Sequence, residues 1–182
     1  NTRWFQFGAF CPLFRAHGRD WHLRLPWGWN TGEIGPMELR GYTGGAANPD
    51  PNELRNPHVE PIVRKYLELR YRLLPYTYSM ARECCITGLP MMRALWLHYP
   101  HDARAVSCGD QFLWGRDILV SPVTEKGATR RRLYLPPGSW YDLWTTERLE
   151  GGREIDREVD LETMPLHVRS GAIIPTRRRG AA

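Results

Sequence analysis

The sequence lacks several features that would assign it to a broad class of protein. No apolar run approaches the roughly 20 residues that a membrane-spanning helix requires, and no secretory signal pattern follows Asn1. It contains no P-loop and no G-x-G-x-x-G, G-x-S-x-G or H-E-x-x-H motif. We therefore expect a soluble protein outside the common nucleotide-binding, serine-hydrolase and zinc-peptidase classes.

Lysine is scarce. The chain has 25 Lys and Arg residues, of which only Lys65 and Lys126 are lysine, and its net charge is +5. Arginine runs at 130–132 and 177–179 are compatible with nucleic-acid binding. However, the first run opens a predicted strand, where outward-facing arginines are ordinary, and no nucleic-acid-binding motif accompanies the charge. We predict no nucleic-acid partner.

Cysteine is also rare, with four residues at Cys11, Cys84, Cys85 and Cys108. Cys84 and Cys85 are adjacent, a spacing that suits neither a disulfide between them nor a C-x-x-C metal or redox site. We expect buried free thiols, with no metal and no cofactor. Free thiols slightly favour a reducing compartment, and therefore a cytoplasmic location.

The chain nevertheless has the composition of a folded protein. Its 182 residues are 42% hydrophobic and 12% aromatic, enough for one domain or a domain and a half. Residues 3–10 have apolar side chains near helical spacing, and the apolar run at 12–14 suits a buried strand. Residues 18–57 are rich in Gly and Pro and have no periodicity, which predicts a long loop.

The clearest helix lies between residues 62 and 84, where apolar side chains recur every three or four positions. Pro61 suits the first turn, where no backbone donor is needed. Pro75 falls inside the stripe and predicts a kink. Gly88, followed by Leu89 and Pro90, predicts the end of the helix.

After Pro90, short runs rich in strand-forming residues alternate with turn residues. The predicted strands cover residues 92–97, 111–114, 118–123, 132–135, 140–144, 164–168 and 172–174. This even spacing is typical of a β-sandwich. The sequence therefore predicts a division near residue 93 into a helical, loop-rich segment and an all-β domain.

Three histidine-containing segments favour structural roles. The run HYPHD at 98–102 offers three metal-ligating side chains, but Pro100 breaks any helix that would align the two imidazoles, which favours a polar turn. His58 precedes the predicted helix and is interpreted as a loop residue. His167 alternates with the apolar Leu166 and Val168, which predicts the outward face of a strand.

His17 differs because it directly follows the predicted strand at 12–14. In a (β/α)₈ barrel, residues just past the carboxyl end of a strand form the active site. The loop that follows contains three tryptophans, which either stack on sugar or simply pack on a neighbouring element: Trp21, Trp27 and Trp29. The pattern alone leaves both alternatives open.

Several segments resemble glycoside hydrolase family 31, in order along the chain. They are RWFQFGAFCPLFRAHG at 3–18, YLELRYRLLPYTYS at 66–79, DQFLWG at 110–115, ILVSPV at 118–123, LPPGSWYDLW at 135–144 and MPLHVRSGAIIP at 164–175. The resemblance implies an α+β fragment: the last strand and helices of a (β/α)₈ barrel at residues 1–93, followed by an all-β sandwich domain at residues 94–182.

The resemblance also implies retaining hydrolysis of α-linked glucosides or xylosides, with α-glucosidase favoured over α-xylosidase. Such enzymes use two carboxyl groups about 5–5.5 Å apart. The family's two aspartate motifs, similar to W-x-D-M-N-E and H-W-x-G-D-N, are absent from this sequence and would lie upstream of Asn1. None of the acidic residues considered matches either one: Asp20, Glu33, Glu38, Asp110 and Asp117. We therefore assign no catalytic residue.

One functional residue carries over from the family. Its R-x-H tripeptide matches Arg15-Ala16-His17, which implies that His17 contacts sugar hydroxyls, whereas Arg15 is the weaker candidate. Residues 176–182 depart from the family's continuing strand pattern, so we expect a truncated chain, and because the two aspartate motifs are missing we expect it to require the upstream barrel. One strand cannot close a barrel, so we also expect the apolar stripe at 62–84 to be exposed. The alternative is a non-catalytic carbohydrate-binding or structural β-sandwich.

Overall fold

A computed structural model describes residues 2–15 and 57–177 of the chain. Its helices are α1 (Thr2–Gly8), α2 (Val59–Arg72), α3 (Leu74–Thr87) and α4 (Ala103–Val106), with a 3₁₀ turn at Leu95–Leu97. Its strands are β1 (Met92–Arg93), β2 (Phe112–Trp114), β3 (Ile118–Val120), β4 (Arg130–Leu135), β5 (Ser139–Asp142), β6 (Arg148–Glu150), β7 (Arg153–Glu158) and β8 (Leu166–Arg169). A helical segment thus precedes an all-β domain, as predicted.

The strands of the described residues form two antiparallel sheets. The larger has the order β1-β2-β3-β8-β5-β6, and the smaller pairs β4 with β7. Apolar side chains of both sheets share one core, with Leu113 and Leu119 from the larger sheet and Leu133 and Leu135 from β4. The domain is therefore a sandwich, as the strand spacing indicated.

Helices α2 and α3 cover the opposite face of the larger sheet. Tyr66, Tyr76 and Met80 pack with Trp114 and Ile118 in a second core. The expectation that the stripe at 62–84 is exposed is therefore wrong. The β-sheet alternates apolar residues on both faces, so it can bury the helical stripe on one face and the small sheet on the other.

The kink predicted at Pro75 is a break between two helices. α2 ends at Arg72 and α3 begins at Leu74, with Leu73 between them at φ −79° and ψ 1°. Pro75 lies in the first turn of α3, where its missing N–H is harmless, and its ring would clash with the carbonyl of Tyr71 in a continuous helix. Gly88, at φ 76°, ends α3 as predicted.

Three predicted strand segments are wrong. Residues 12–14 form bends and open chain, with Leu13 75% exposed, and residues 172–174 lie outside any strand. Residues 95–97 form the 3₁₀ turn instead of extending β1. A strand requires a hydrogen-bonded neighbour, and none of the described strands pairs with these segments.

Strands β6 and β7 lie in different sheets, paired with β5 and β4, and the apolar pattern does not predict them because they are polar, with sequences RLE and REIDRE. Both strands lie at exposed edges, so their alternation contains few apolar residues. The turn between them requires glycine at both positions. A Cβ on Gly151 would collide with the carbonyls of Pro136 and Gly138, and Gly152 has φ 75°.

Two further expectations about side chains are corrected. Arg130 and Arg132 face outward as predicted, but the side chain of Arg131 is only 14% exposed. It lies on the same face of β4 as Leu133 and Leu135, toward the core, and its Nε donates to the carbonyl of Pro122. The four cysteines are free, as expected, but none is fully buried: Cys11, Cys84, Cys85 and Cys108.

Candidate functional site

The segment that leads toward the predicted sugar-binding histidine begins at the end of α1. The chain turns after Gly8, and Ala9 and Phe10 are buried beneath the turn. Phe14 folds back onto α1, with its ring 4.8 Å from that of Phe5. A Cβ on Gly8 would lie 3.1 Å from the Phe14 ring, so this close approach favours glycine there.

Arg70 of α2 joins this turn to the second helix. Its Nη1 donates to the carbonyl oxygens of Ala9 and Cys11, both at 2.8 Å, and its Nη2 donates to that of Pro12 at 3.2 Å. The guanidinium also lies over the ring of Phe14, 5.0 Å from its centroid. One side chain therefore contacts four positions of the turn.

Both helices are attached to the β-sandwich by polar contacts. Gln6 of α1 donates to the carbonyl of Leu161 at 2.8 Å. The Tyr66 hydroxyl of α2 donates to the carbonyl of Glu162 at 3.0 Å and accepts from the backbone N–H of Met164 at 2.7 Å. Burial raises the pKa of Tyr66 above its usual value, so the hydroxyl stays protonated and can donate. The β domain thus fixes the helices that carry the turn.

His17 itself lies outside the described residues, as do Trp21, Trp27 and Trp29. Arg15, two positions before His17, is exposed and is the last described residue of the first range. The sugar-binding roles of His17 and Arg15 therefore stay predictions.

The two described catalytic candidates, Asp110 and Asp117, are each paired with an arginine. Asp117 is buried, and its Oδ1 accepts from Arg169 at 2.8 Å. The Tyr76 hydroxyl donates to Asp117 Oδ2 at 3.3 Å. Asp110 pairs with Arg131 at 2.8 Å. These contacts join strands, turns and helices of the fold, while Asp20, Glu33 and Glu38 lie outside the described residues.

The segment at 98–102 forms a capping turn. Asp102 Oδ1 accepts from the backbone N–H of Arg104 at 2.9 Å, which caps α4, and Asp102 Oδ2 accepts from the Tyr134 hydroxyl at 2.6 Å. Burial, together with the charge of Arg93 at 3.2 Å, lowers the pKa of His98. In residues 2–15 and 57–177, no group of three or more His, Cys, Asp or Glu side chains could hold a metal ion.

His167 is buried, contrary to the prediction that it faces outward. Its side chain is 0% exposed, and Nε2 lies 4.0 Å from Asp142 Oδ2, which accepts from Arg157 at 2.9 Å. Neither ring nitrogen has a hydrogen-bond partner among the described residues. Because side chains alternate along a strand, His167 does point to the opposite face of the sheet from Leu166. That face, however, is covered by β4 and β7. Burial lowers the pKa of His167 to about 4.

A groove of about 740 Å³ lies between α1 and the β domain, and sequence reasoning missed it. Two exposed tryptophans line it, Trp4 at 75% and Trp96 at 50%. Asp110 and Arg3 add polar groups to its lining. The tertiary fold brings these residues together from distant parts of the chain, so only the tryptophans themselves, which suit sugar stacking, could have suggested it.

Two family models match the chain in succession. The model described as the glycosyl hydrolases family 31 TIM-barrel domain matches residues 1–80. The model described as the glycosyl hydrolase family 31 C-terminal domain matches residues 88–174. The chain belongs to glycosyl hydrolase family 31. The resemblance noted in the sequence is thus confirmed, and so is the fold class: the end of a (β/α)₈ barrel followed by an all-β sandwich domain.

Curated members of family 31 match almost the whole chain. An alpha-xylosidase of Saccharolobus solfataricus is 37% identical over 175 residues, which cover 96% of this chain and 20% of that protein. Alpha-glucosidase 2 of Bacillus thermoamyloliquefaciens is 36% identical and is matched over 95% of this chain and 19% of its own length. The chain therefore spans about a fifth of the length of these family 31 relatives.

Solved structures of family 31 enzymes share the fold. A dextranase of Flavobacterium johnsoniae, complexed with glucose, aligns with a TM-score of 0.75 at 38% identity, over 96% of this chain and 18% of its own. An alpha-xylosidase of Xanthomonas citri aligns with a TM-score of 0.72 at 36% identity, over 96% of this chain and 16% of its own. Among the described residues of our family 31 chain, no helix has the length and apolarity to cross a membrane.

Proposed function

We propose that this chain is part of a retaining α-glycosidase that hydrolyses α-linked glucosides or xylosides, and that it contributes a sugar-binding histidine but not the catalytic aspartates. The observation that carries the proposal is the match of its first 80 residues to the family 31 barrel domain, in which His17 follows the anchored turn at 9–14. Relatives named alpha-xylosidase and alpha-glucosidase support the substrate class.

The proposed chemistry needs residues from outside this chain. Retaining glycosidases require a nucleophilic carboxylate and an acid/base carboxyl about 5–5.5 Å apart. The described candidates Asp110 and Asp117 are each paired with arginine in the sandwich. We infer that the upstream part of the barrel supplies both catalytic carboxyls and is required for turnover.

We assign to His17 the role of a hydrogen-bond partner for sugar hydroxyls, with contacts that tighten in the transition state. The scaffold leading to it supports this role, because Arg70 and Phe14 hold the preceding turn against α1 and α2. Arg15, two positions before His17 in the sequence, is exposed and is the weaker candidate.

Three finer assignments belong to the same proposal. We favour glucosides over xylosides, although relatives of both names match. We favour a cytoplasmic location, which the four free cysteines support. We divide the chain at residue 93, into barrel end and sandwich, whereas the second family match begins before that position, at residue 88.

Titration of the purified 182-residue chain with glucose and xylose oligomers, followed by NMR, tests the proposal. Loss of one neutral hydrogen bond, worth about 1 kcal/mol, weakens affinity about fivefold, which is the expected effect of His17→Ala. The matched control is His101→Ala, an exposed histidine in the turn before α4, and it should leave affinity unchanged. Equal affinities for both variants would contradict the role of His17.

A non-catalytic carbohydrate-binding module is the second candidate, and the groove with Trp4 and Trp96 is the observation that favours it. In this case Trp96→Ala, and not His17→Ala, abolishes oligosaccharide binding. The packing argues against a separable module, since Tyr66, Tyr76 and Met80 share a core with the β-sheet. The same titration therefore distinguishes the two functions.

A further inference from the structure

We propose that Arg70 is a positioning residue for sugar binding, because it fixes residues 9–14, the stretch of chain that leads to Arg15 and His17. The inference rests on the proposed function, since His17 is the sugar contact that this stretch would orient. Arg70 acts through the backbone of the turn and is not itself a catalytic residue.

The Arg70 side chain makes several contacts with the turn at residues 9–14. A guanidinium presents five N–H donors in a rigid planar fork, and three of the hydrogen bonds of Arg70 reach the carbonyls of Ala9, Cys11 and Pro12. These carbonyls lie just beyond the end of α1, where backbone acceptors have no partner within the helix. Charge-assisted bonds to three nearby carbonyls restrict the turn to one arrangement.

The guanidinium of Arg70 forms no ion pair with a described carboxylate. Within the described residues it has no carboxylate partner, so its charge is directed at backbone carbonyls and at the face of Phe14. By contrast, Arg64 on the same helix pairs with Glu60 at 2.6 Å on the exposed surface. Arg70 and Arg64 of α2 thus make different contacts, and substitution of Arg64 offers a matched control.

The helix that carries Arg70, α2, is attached to the β domain. α2 is held to the β domain by Tyr66, which bonds Glu162 and Met164, and by its place in the buried core. Contacts therefore run without interruption from the sandwich through α2 to the turn. The sandwich and residues 9–14 are therefore joined through α2.

Hydrogen exchange of the 182-residue chain, read by mass spectrometry on peptides that cover residues 9–15, tests whether Arg70 fixes the turn. Loss of the charge-assisted bonds in Arg70→Met should lower protection of these amides about tenfold, whereas Arg64→Met should change it less than about twofold. Protection of β3 and β8 reports whether the variant remains folded. Unchanged protection at 9–15 in a folded Arg70→Met protein overturns the proposal.

Affinity for an α-linked glucose disaccharide tests whether Arg70 contributes to sugar binding. In Arg70→Ala it should fall about fivefold, as in His17→Ala, and millimolar methylguanidinium should restore it in Arg70→Ala alone. A merely structural loss of packing would not respond to the added cation. If Arg70→Met lowers protection and His17→Ala loses affinity, but Arg70→Ala keeps affinity, positioning is refuted and the proposed function stands. If His17→Ala keeps affinity, the proposed function fails, and hydrogen exchange still decides whether Arg70 fixes the turn.

Discussion

Lowering the pH from 7 to 5 should weaken the folded protein through His167. Its ring is 0% exposed, and neither nitrogen has a hydrogen-bond partner among the described residues, so the folded state favours the neutral form. The carboxylate of Asp142, with Oδ2 4.0 Å from Nε2, opposes this effect but does not reverse it, and the pKa of His167 falls to about 4. In the unfolded chain the pKa is about 6.5.

The sign follows from proton binding. Between these two pKa values the unfolded chain binds more protons, so this contribution to stability is complete above the unfolded pKa and is lost as the pH falls through 6.5 toward 4. With these values, the free energy of unfolding should drop by about 2 kcal/mol between pH 7 and pH 5. The pKa of Asp142 is lowered, so its own contribution is lost mainly below this window.

Urea unfolding at pH 7 and pH 5, followed by circular dichroism and tryptophan fluorescence, measures this difference. The perturbation is His167→Leu, which removes the titrating ring and fills a similar volume, so the drop should be smaller by about 2 kcal/mol than in the unmodified chain. His98, whose pKa is also lowered, is present in both proteins and cancels in the comparison. The exposed His101→Leu serves as a control and should keep the full drop. Identical pH dependence in His167→Leu and the unmodified chain would refute the argument.

Three further outcomes are expected. Tyr66→Phe leaves the buried N–H of Met164 without its acceptor and should lower the free energy of urea unfolding by about 1–3 kcal/mol, whereas Tyr78→Phe, on the exposed face of α3, should change it by less than about 0.5 kcal/mol. Gly115→Ala places a Cβ against the Met80 sulfur at φ 66° and should lower the melting temperature more than Gly127→Ala, which has φ 76° and open space. We propose that the upstream barrel supplies the two catalytic carboxyls, so the purified chain alone should release no chromophore from an aryl α-glucoside; turnover would overturn that proposal.

Much of the local structure follows from short-range chemistry. Pro61 and Pro75 each lie in a first helical turn, and Gly88 ends α3 in the left-handed conformation, because backbone geometry at these residues depends on their immediate neighbours. The short apolar runs of β2 and β3 likewise predict strands from residues that are neighbours in the sequence. The polar strand β7 is not predicted in this way, since its edge position gives it no apolar pattern.

The candidate site was only partly predictable. The R-x-H tripeptide singled out His17 through the family resemblance, and the fold adds Arg70, which lies 53 positions beyond it in the sequence. No local pattern marks Arg70, because an arginine on a helix ordinarily faces solvent. Its role depends on the carbonyls that the end of α1 presents to it.

The sequence by itself determined the family, the order of a helical segment and an all-β domain, and most element positions. These follow from motifs, periodicity and turn residues, which act over a few positions along the chain. Only the tertiary structure decided which faces are covered. His167 and the stripe at 62–84 are both buried because separate elements pack on the two faces of one sheet, and such burial depends on long-range contacts that periodicity does not encode.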